Sequence, residues 1–212
     1  MDPEADRIDR IVRSLMHDLE ENGWFREAPV ISRKAERIFT RLCLTNFTFL
    51  NISITRDNAA KYKTLMADTF PRLSESDWEE MTSCMIFYHI IQSYEFVAKI
   101  FVEVLDPARL GMTRPPVISD ILKRLDKTIE CGEFASLMNN RLRNALAHGD
   151  YWIERDPSGR RLVYDGAPDG GLTMRDLVAE SRIIREVIAA LVVWCRNRLH
   201  ASFLPDPARD PS

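Results

Sequence analysis

The chain has 212 residues, of which 45% are hydrophobic and 29% are charged. This length and balance predict one folded domain with additional peripheral segments, and they exclude extensive disorder. Its formal net charge of −3 excludes an overall cationic field for holding long nucleic acid, so any nucleic-acid contact must be local. The cysteines lack the Cys-x-x-C spacing of a zinc site, and we expect each to be a small buried thiol. They are Cys43, Cys84, Cys131 and Cys195.

Residues 1–75 are expected to form an N-terminal helical extension that packs on the main bundle. Apolar residues at helical spacing predict a first helix over about residues 4–21, ended by Asn22 and Gly23. The stretch VISRKAERIFTRLCLTNFTFLNISI favours a second helix, although its β-branched and aromatic content after Thr45 weakens that prediction. A short helix is predicted near residues 58–69, and nothing in residues 22–75 indicates a function.

Residues 76–204 are predicted to form the bundle itself. Ser76 and Glu79 have capping-box spacing and open a strongly apolar central helix that runs to Leu105. The segment VISDILKRLDKTIE predicts a further amphipathic helix, and Gly132 separates it from a helix that carries the sequence RLRNALAHGDYW.

The C-terminal part adds a hairpin and a long last helix. Residues 151–165 have β-rich arms around Asp-Pro-Ser-Gly, which predicts a two-stranded hairpin. Thr173 and Asp176 have the spacing of a cap for the final helix, and residues 205–212 read as a flexible tail. The fold class predicted is all-α, a helical bundle with a small inserted β-hairpin.

The beginning of the chain is charged, and its longest apolar runs are interrupted by polar residues. This pattern predicts neither a secretion signal nor a membrane span, so we expect a cytoplasmic protein with no membrane contact.

The stretch RLRNALAHGDYW, residues 141–152, combines an Arg-Asn pair and a His at the end of an amphipathic helix. Asn144 and His148 are i and i+4 neighbours, so the amide is positioned to orient the imidazole. Arg143 and His148 are five residues apart, which on a regular helix places them ~140° apart. Either the Arg side chain wraps back, or the helix unwinds at Gly149, or a second subunit completes the pair.

Arg and His together suit RNA cleavage by the neighbouring 2′-hydroxyl, which needs no metal. A His can deprotonate that hydroxyl or protonate the leaving oxygen, and Arg can stabilise the charge that builds on phosphorus. In the alternative interpretation these residues have no catalytic role. His148 then caps the carbonyls at a helix end, and Arg143 is a solvent-facing salt-bridge residue.

The motif RNALAHGDY, with long helices on both sides, resembles the signature of the HEPN superfamily (higher eukaryotes and prokaryotes nucleotide-binding domains). By helix layout the resemblance covers about residues 80–203, and by motif about ten residues. It implies an α-helical bundle, commonly a homodimer with two motifs around one cleft, and in many members a metal-independent endoribonuclease of bacterial defence or toxin–antitoxin systems.

The resemblance also implies roles for individual residues. Arg143 and His148 are implied as catalytic and Asn144 as supporting. Tyr151 follows the His by three positions, whereas toxin members often carry a Tyr two positions after it, so that subtype is in doubt. The hairpin after the motif is more similar to the abortive-infection-type branch.

Family members tend to carry an acidic or polar residue on an earlier helix that faces the motif. In YHIIQSYEFVAKI a polar stripe marks the central helix, and Glu95 is its candidate for a supporting role in the cleft. The alternative is that Glu95 and Lys99 form an i, i+4 pair on a solvated face.

Two functions follow as hypotheses. The first is a HEPN-type endoribonuclease that acts on RNA as a homodimer, without metal or cofactor, and with a cognate regulatory protein as a further partner. The second is a catalytically inactive HEPN-like module that binds a protein or nucleotide partner.

Overall fold

The computed structural model describes residues 2–53, 75–111, 117–156 and 159–199. The helix predicted near residues 58–69 and the tail 205–212 lie outside these ranges. The helices are α1 (Pro3–Glu21), α2 (Arg33–Ser53), α3 (Glu75–Val104), α4 (Pro107–Leu110), α5 (Ile118–Leu125), α6 (Gly132–Ser136), α7 (Asn140–His148) and α8 (Met174–Leu199). The strands are β1 (Tyr151–Asp156), β2 (Gly159–Tyr164) and β3 (Leu172–Thr173).

The predicted fold class, a helical bundle with a small β element, is confirmed, and helix α3 is its centre. It packs against α2, α5, α7 and α8, while α8 also packs against α1. Phe96, Ile100 and Phe101 on α3 are at most 1% exposed, and burying each side chain of this size stabilises the fold by ~1.5–3 kcal/mol. A single apolar core therefore spans the described elements from α1 to α8.

Helix α1 begins and ends as its sequence predicts. Asp2 caps it by accepting a hydrogen bond from the Glu4 amide at 3.1 Å, and Pro3 occupies the first turn, where no amide partner is needed. The chain leaves the helix at Gly23, whose φ of 64° is unfavourable for other residues. The apolar positions of the predicted stripe, Ile8, Ile11, Val12, Leu15 and Leu19, are all buried.

The predicted hairpin is present, and a third strand that was not predicted extends it. Strands β1, β2 and β3 form an antiparallel sheet in that order. Leu162 on β2 pairs with Leu172 on β3, and both are buried. Gly171 permits this contact, because a Cβ at that position would lie 2.7 Å from the Leu162 carbonyl oxygen.

Of the two predicted caps, the one at the start of α8 lies within the described side chains. Thr173 and Asp176 form the predicted capping box: Asp176 Oδ2 accepts from the Thr173 amide at 2.8 Å, and Thr173 Oγ1 accepts from the Asp176 amide at 3.3 Å. Helix α3 begins at Glu75, one residue before Ser76, and the predicted pairing of Ser76 with Glu79 falls on side chains outside the described residues.

Other expectations were wrong. The single helix expected after Gly132 is two, since the chain leaves helical geometry between Ser136 and Asn140. Cys43 and Cys84 are exposed, because each lies on the solvent side of its helix, and only the remaining two cysteines are buried. Among the helices in the described ranges, none is both long and apolar enough to cross a bilayer.

Candidate functional site

The motif lies on α7, a helix of 9 residues that is capped at both ends. At its start, Asn139 Oδ1 accepts a hydrogen bond from the Leu142 amide at 3.1 Å. At its end, the Ala145 carbonyl accepts from the amides of both Gly149 and Asp150, and Gly149 adopts the left-handed φ of 73°. A helix this short is marginal alone in water, so its caps and packing hold it.

Arg143 is buried, with only 9% of the residue exposed. Its Nη2 donates to Glu95 Oε1 on α3, and its Nη1 donates to Asn144 Oδ1 at 3.0 Å. The interpretation of Arg143 as a solvent-facing residue is therefore wrong. Helix α3 packs beside α7 and covers this side chain, although helical periodicity places Arg143 off the centre of the core face.

Glu95 is the link between the two helices. Its side chain is 43% exposed, whereas that of Arg143 is 11% exposed, so the ion pair lies at the boundary between core and solvent. Lys99, the alternative partner on the same helix, forms an ion pair with Glu103, with Nζ and Oε1 2.7 Å apart. The structure thus brings Arg143, Asn144 and Glu95 into one hydrogen-bonded group.

His148 stands apart from that group. It is the last residue of α7 and is exposed, and among the described residues no hydrogen bond joins it to Arg143, Asn144 or Glu95. Asn144 was predicted to orient the imidazole, but its Oδ1 accepts from Arg143 instead. Because the helix stays regular through His148, the separation of ~140° between Arg143 and His148 holds within one chain.

A second polar group, which was not predicted from the sequence, supports the start of α7. Asn139 Nδ2 donates to Glu180 Oε1 on α8 at 3.1 Å. Tyr94 and Tyr164 lie beside them, and burial raises the pKa of both phenols and of the Glu180 carboxyl. Asn139 carried a visible signal, since an Asn just before an amphipathic stretch is a preferred N-cap.

Two further residues, His89 and Tyr151, pack into the fold and lie outside the group formed by Arg143, Asn144 and Glu95. His89 is fully buried, its Nε2 lies 3.4 Å from Ser93 Oγ, and its Nδ1 has no hydrogen-bond partner among the described residues. Burial, and then the charge of Arg185, lower the pKa of His89 to about 4. Tyr151 packs edge-on against Phe87, with ring centroids 5.4 Å apart, so it holds the hairpin on the bundle.

Across the described residues no group of three or more His, Cys, Asp or Glu side chains is arranged to hold a metal ion. Comparison with protein-family models, with curated proteins and with solved structures returned no match.

Proposed function

We propose that the chain is a metal-independent endoribonuclease of the HEPN type, a cytoplasmic enzyme of a bacterial defence or toxin-like system. The observation that carries the proposal is the fixed position of Arg143. Its guanidinium is held by Glu95 and Asn144, while His148 remains exposed at the end of the same helix. An arginine fixed in advance loses little freedom when it binds a phosphate.

The chemistry is transesterification. The 2′-hydroxyl oxygen bonds to phosphorus and gives its proton to a base, while the bond to the 5′-oxygen breaks and that oxygen takes a proton. The products carry 2′,3′-cyclic phosphate and 5′-hydroxyl ends. Arg143 has N–H donors beyond the two engaged by Glu95 and Asn144, and these would stabilise the charge on phosphorus.

Two proton transfers need two groups, and each chain supplies one His148. The angular separation of Arg143 and His148 around one helix is a further reason to propose a second copy of the chain. We therefore propose a homodimer in which two α7 helices approach each other, so that His148 of one copy works beside Arg143 of the other.

The alternative, an inactive module that binds a protein or nucleotide partner, is favoured by one observation. The Arg143 side chain is only 11% exposed and is already paired with a carboxylate. A guanidinium whose main task is to join α7 to α3 would be found in this state without any catalytic role.

The test is cleavage of a mixed RNA pool in the presence of a chelator. Wild type is compared with Arg143→Lys, Arg143→Ala and His148→Ala, and with His17→Ala as control. His17 is a matched control, because its side chain is 65% exposed and its ion pair with Glu21 lies on α1, far along the chain from the motif. Circular dichroism and size-exclusion chromatography with light scattering report folding and oligomeric state for every variant.

We expect wild type and His17→Ala to give products with cyclic phosphate ends. The cleavage rate of the folded His148→Ala variant should be at least ~100-fold lower, because removal of a general acid or base typically has an effect of this size. Absence of cleavage by a dimeric wild type, or equal cleavage by His148→Ala, would refute catalysis and leave the binding module.

A further inference from the structure

The solvent-facing side of α7 carries three side chains that can donate hydrogen bonds. They are Arg141, Asn144 and His148, and all three residues are exposed. On a regular helix Arg141 and His148, which are seven residues apart, lie within ~20° of each other around the axis and ~10 Å apart along it. Arg143 is buried and lies ~160° around the helix from Arg141. The arginine that shares a face with His148 is therefore Arg141.

Arg141 is positioned by packing, and no carboxylate of the described residues pairs with it. Its guanidinium lies against Gly166 in the loop between β2 and β3, where an added Cβ would be 2.5 Å from Nη1. Burial raises the pKa of the nearby Tyr164 phenol, and the positive charge of Arg141 acts against this increase. Within the described ranges no hydrogen bond or ion pair engages the Arg141 side chain. Its N–H donors are therefore available to a ligand.

Asn144 is oriented by the buried arginine. Its Oδ1 accepts a hydrogen bond from Arg143 Nη1 at 3.0 Å. Because the amide oxygen is used in this way, Nδ2 remains to donate, and among the described residues it has no acceptor. Arg143 thus determines that the amide presents N–H groups, rather than a carbonyl, on the exposed side of α7.

The exposed face of α7 is a local positive surface on a chain whose formal net charge is −3. No residue of the helix is acidic, and Glu95, the carboxylate beside it, is engaged by Arg143. An exposed arginine such as Arg13, by contrast, is paired with Asp9 at 2.6 Å. Guanidinium and amide N–H groups that lack an acidic partner among the described residues match the oxygens of a phosphate.

From this geometry we propose that the exposed face of α7 binds the RNA strand beside the cleaved bond. Arg141 contacts the phosphate next to the scissile one, and Asn144 Nδ2 donates to the strand between Arg141 and His148. The separation of ~10 Å is too large for one phosphate group to reach both ends, and an arginine on a helix leans towards the N-terminus, away from His148. This role deepens the proposed function and rests on it, since Arg141 binds the substrate and His148 transfers a proton.

An acidic protein segment is the competing occupant. The centre of a protein interface is usually formed by aromatic and other apolar side chains, with few charged residues. Among the described residues, none of the large apolar side chains that are exposed belongs to α7. Most hydrogen bonds between proteins and DNA, by contrast, join side chains of the kind found on this face to phosphate and sugar oxygens. The composition of the face therefore favours a nucleic-acid strand.

The experiment measures binding to the full chain by fluorescence anisotropy. The probe is a labelled twelve-nucleotide RNA with a methyl group on every 2′-oxygen, which the proposed reaction cannot cleave. A hexaglutamate peptide represents the competing class. The variant is Arg141→Gln, and its matched control is Arg10→Gln, which removes an exposed arginine on α1. Affinity is measured at several salt concentrations, and circular dichroism reports folding.

We expect Arg141→Gln to bind the methylated RNA at least ~fivefold more weakly than wild type, because a charge-assisted hydrogen bond to phosphate is lost. The slope of log affinity against log salt concentration should decrease by ~0.7, the value for one phosphate contact on a single strand. Arg10→Gln should keep the affinity and the slope of wild type. With cleavable RNA, Arg141→Gln should raise KM with kcat nearly unchanged, whereas His148→Ala should lower kcat.

Failure of this RNA contact and failure of the proposed function give different results. If wild type cleaves RNA while Arg141→Gln keeps its affinity and salt slope, the role of Arg141 is refuted and the proposed function stands. If wild type binds the methylated RNA through Arg141 but cleaves no RNA, the contact stands and catalysis is refuted. The contact is also overturned if folded wild type binds no RNA, or if hexaglutamate binds as tightly and with the same dependence on Arg141, as an acidic protein partner would.

Discussion

Replacing Glu95 by alanine should leave Arg143 as a largely buried guanidinium with Asn144 as its remaining partner in the motif group. The structure sets the size of the effect, because the Arg143 side chain is 11% exposed and that of Glu95 is 43% exposed. Exposed ion pairs contribute ~0–1 kcal/mol, and breaking fully buried ones costs ~3–5 kcal/mol. Breaking a pair at the boundary between core and solvent should have an intermediate cost, ~1–2 kcal/mol of the free energy of unfolding.

The assay is a double-mutant cycle measured by urea unfolding. It uses Glu95→Ala, Arg143→Met and the double variant, since methionine keeps most of the apolar stem and removes the charge. A second cycle on Asp9 and Arg13 serves as control, because that i, i+4 pair has side chains that are 40% and 54% exposed. The control should show a coupling of only ~0.3–0.5 kcal/mol.

A coupling of ~1 kcal/mol or more between Glu95 and Arg143, above that of the control, is the expected result. A coupling below ~0.3 kcal/mol, which is the usual error of additivity, would mean that the ion pair does not fix Arg143. The proposed function would then lack the fixed arginine on which it rests.

Three further predictions concern the fold. Burial lowers the pKa of His89 from 6.5 to about 4, so the free energy of unfolding should be highest above pH 6.5 and should fall by up to ~3 kcal/mol as the pH drops towards 4. Urea unfolding of His89→Leu should show a weaker dependence on pH than wild type, and the same pH dependence in both proteins would contradict this. Thr173→Ala removes half of a capping box and should cost ~1 kcal/mol in thermal or urea unfolding, whereas a loss under ~0.3 kcal/mol would show that the cap is dispensable. Gly149→Ala should lower the free energy of unfolding, measured with urea, by ~1–2 kcal/mol, because the residue has a φ of 73°. Among the described residues no atom lies within 4 Å of an added Cβ, so a much larger loss would contradict an effect of backbone conformation alone.

The sequence predicts those parts of the fold that depend on local periodicity and end signals. The α1 stripe, the hairpin and the cap of α8 all follow from short stretches. The break in the helix before Asn140 cannot be predicted in this way, because the apolar stripe continues through it. The buried residues of that stripe are Phe134, Leu137, Met138 and Leu142. Strand β3 has only 2 residues and depends on pairing with β2, so its own sequence carries little signal.

For the candidate site, the sequence identifies which residues have suitable chemistry but not how they pair. Asn144 is next to Arg143 in sequence, yet helical spacing alone predicts His148 as its neighbour. The burial of Arg143 comes from the docking of α3, whose Glu95 is 48 residues away, and no local pattern contains that information. Glu180 remained unidentified for the same reason.

The two polar anchors of α7 have a consequence for the order of folding. Glu95 and Glu180 belong to different long helices, and their bonds to Arg143 and Asn139 span 48 and 41 residues of chain. Contacts of such sequence separation form only after the intervening loops have closed, so they come late when the chain folds. An isolated peptide would therefore carry the motif residues without their arrangement, and whatever this helix does requires both long helices to be docked against it.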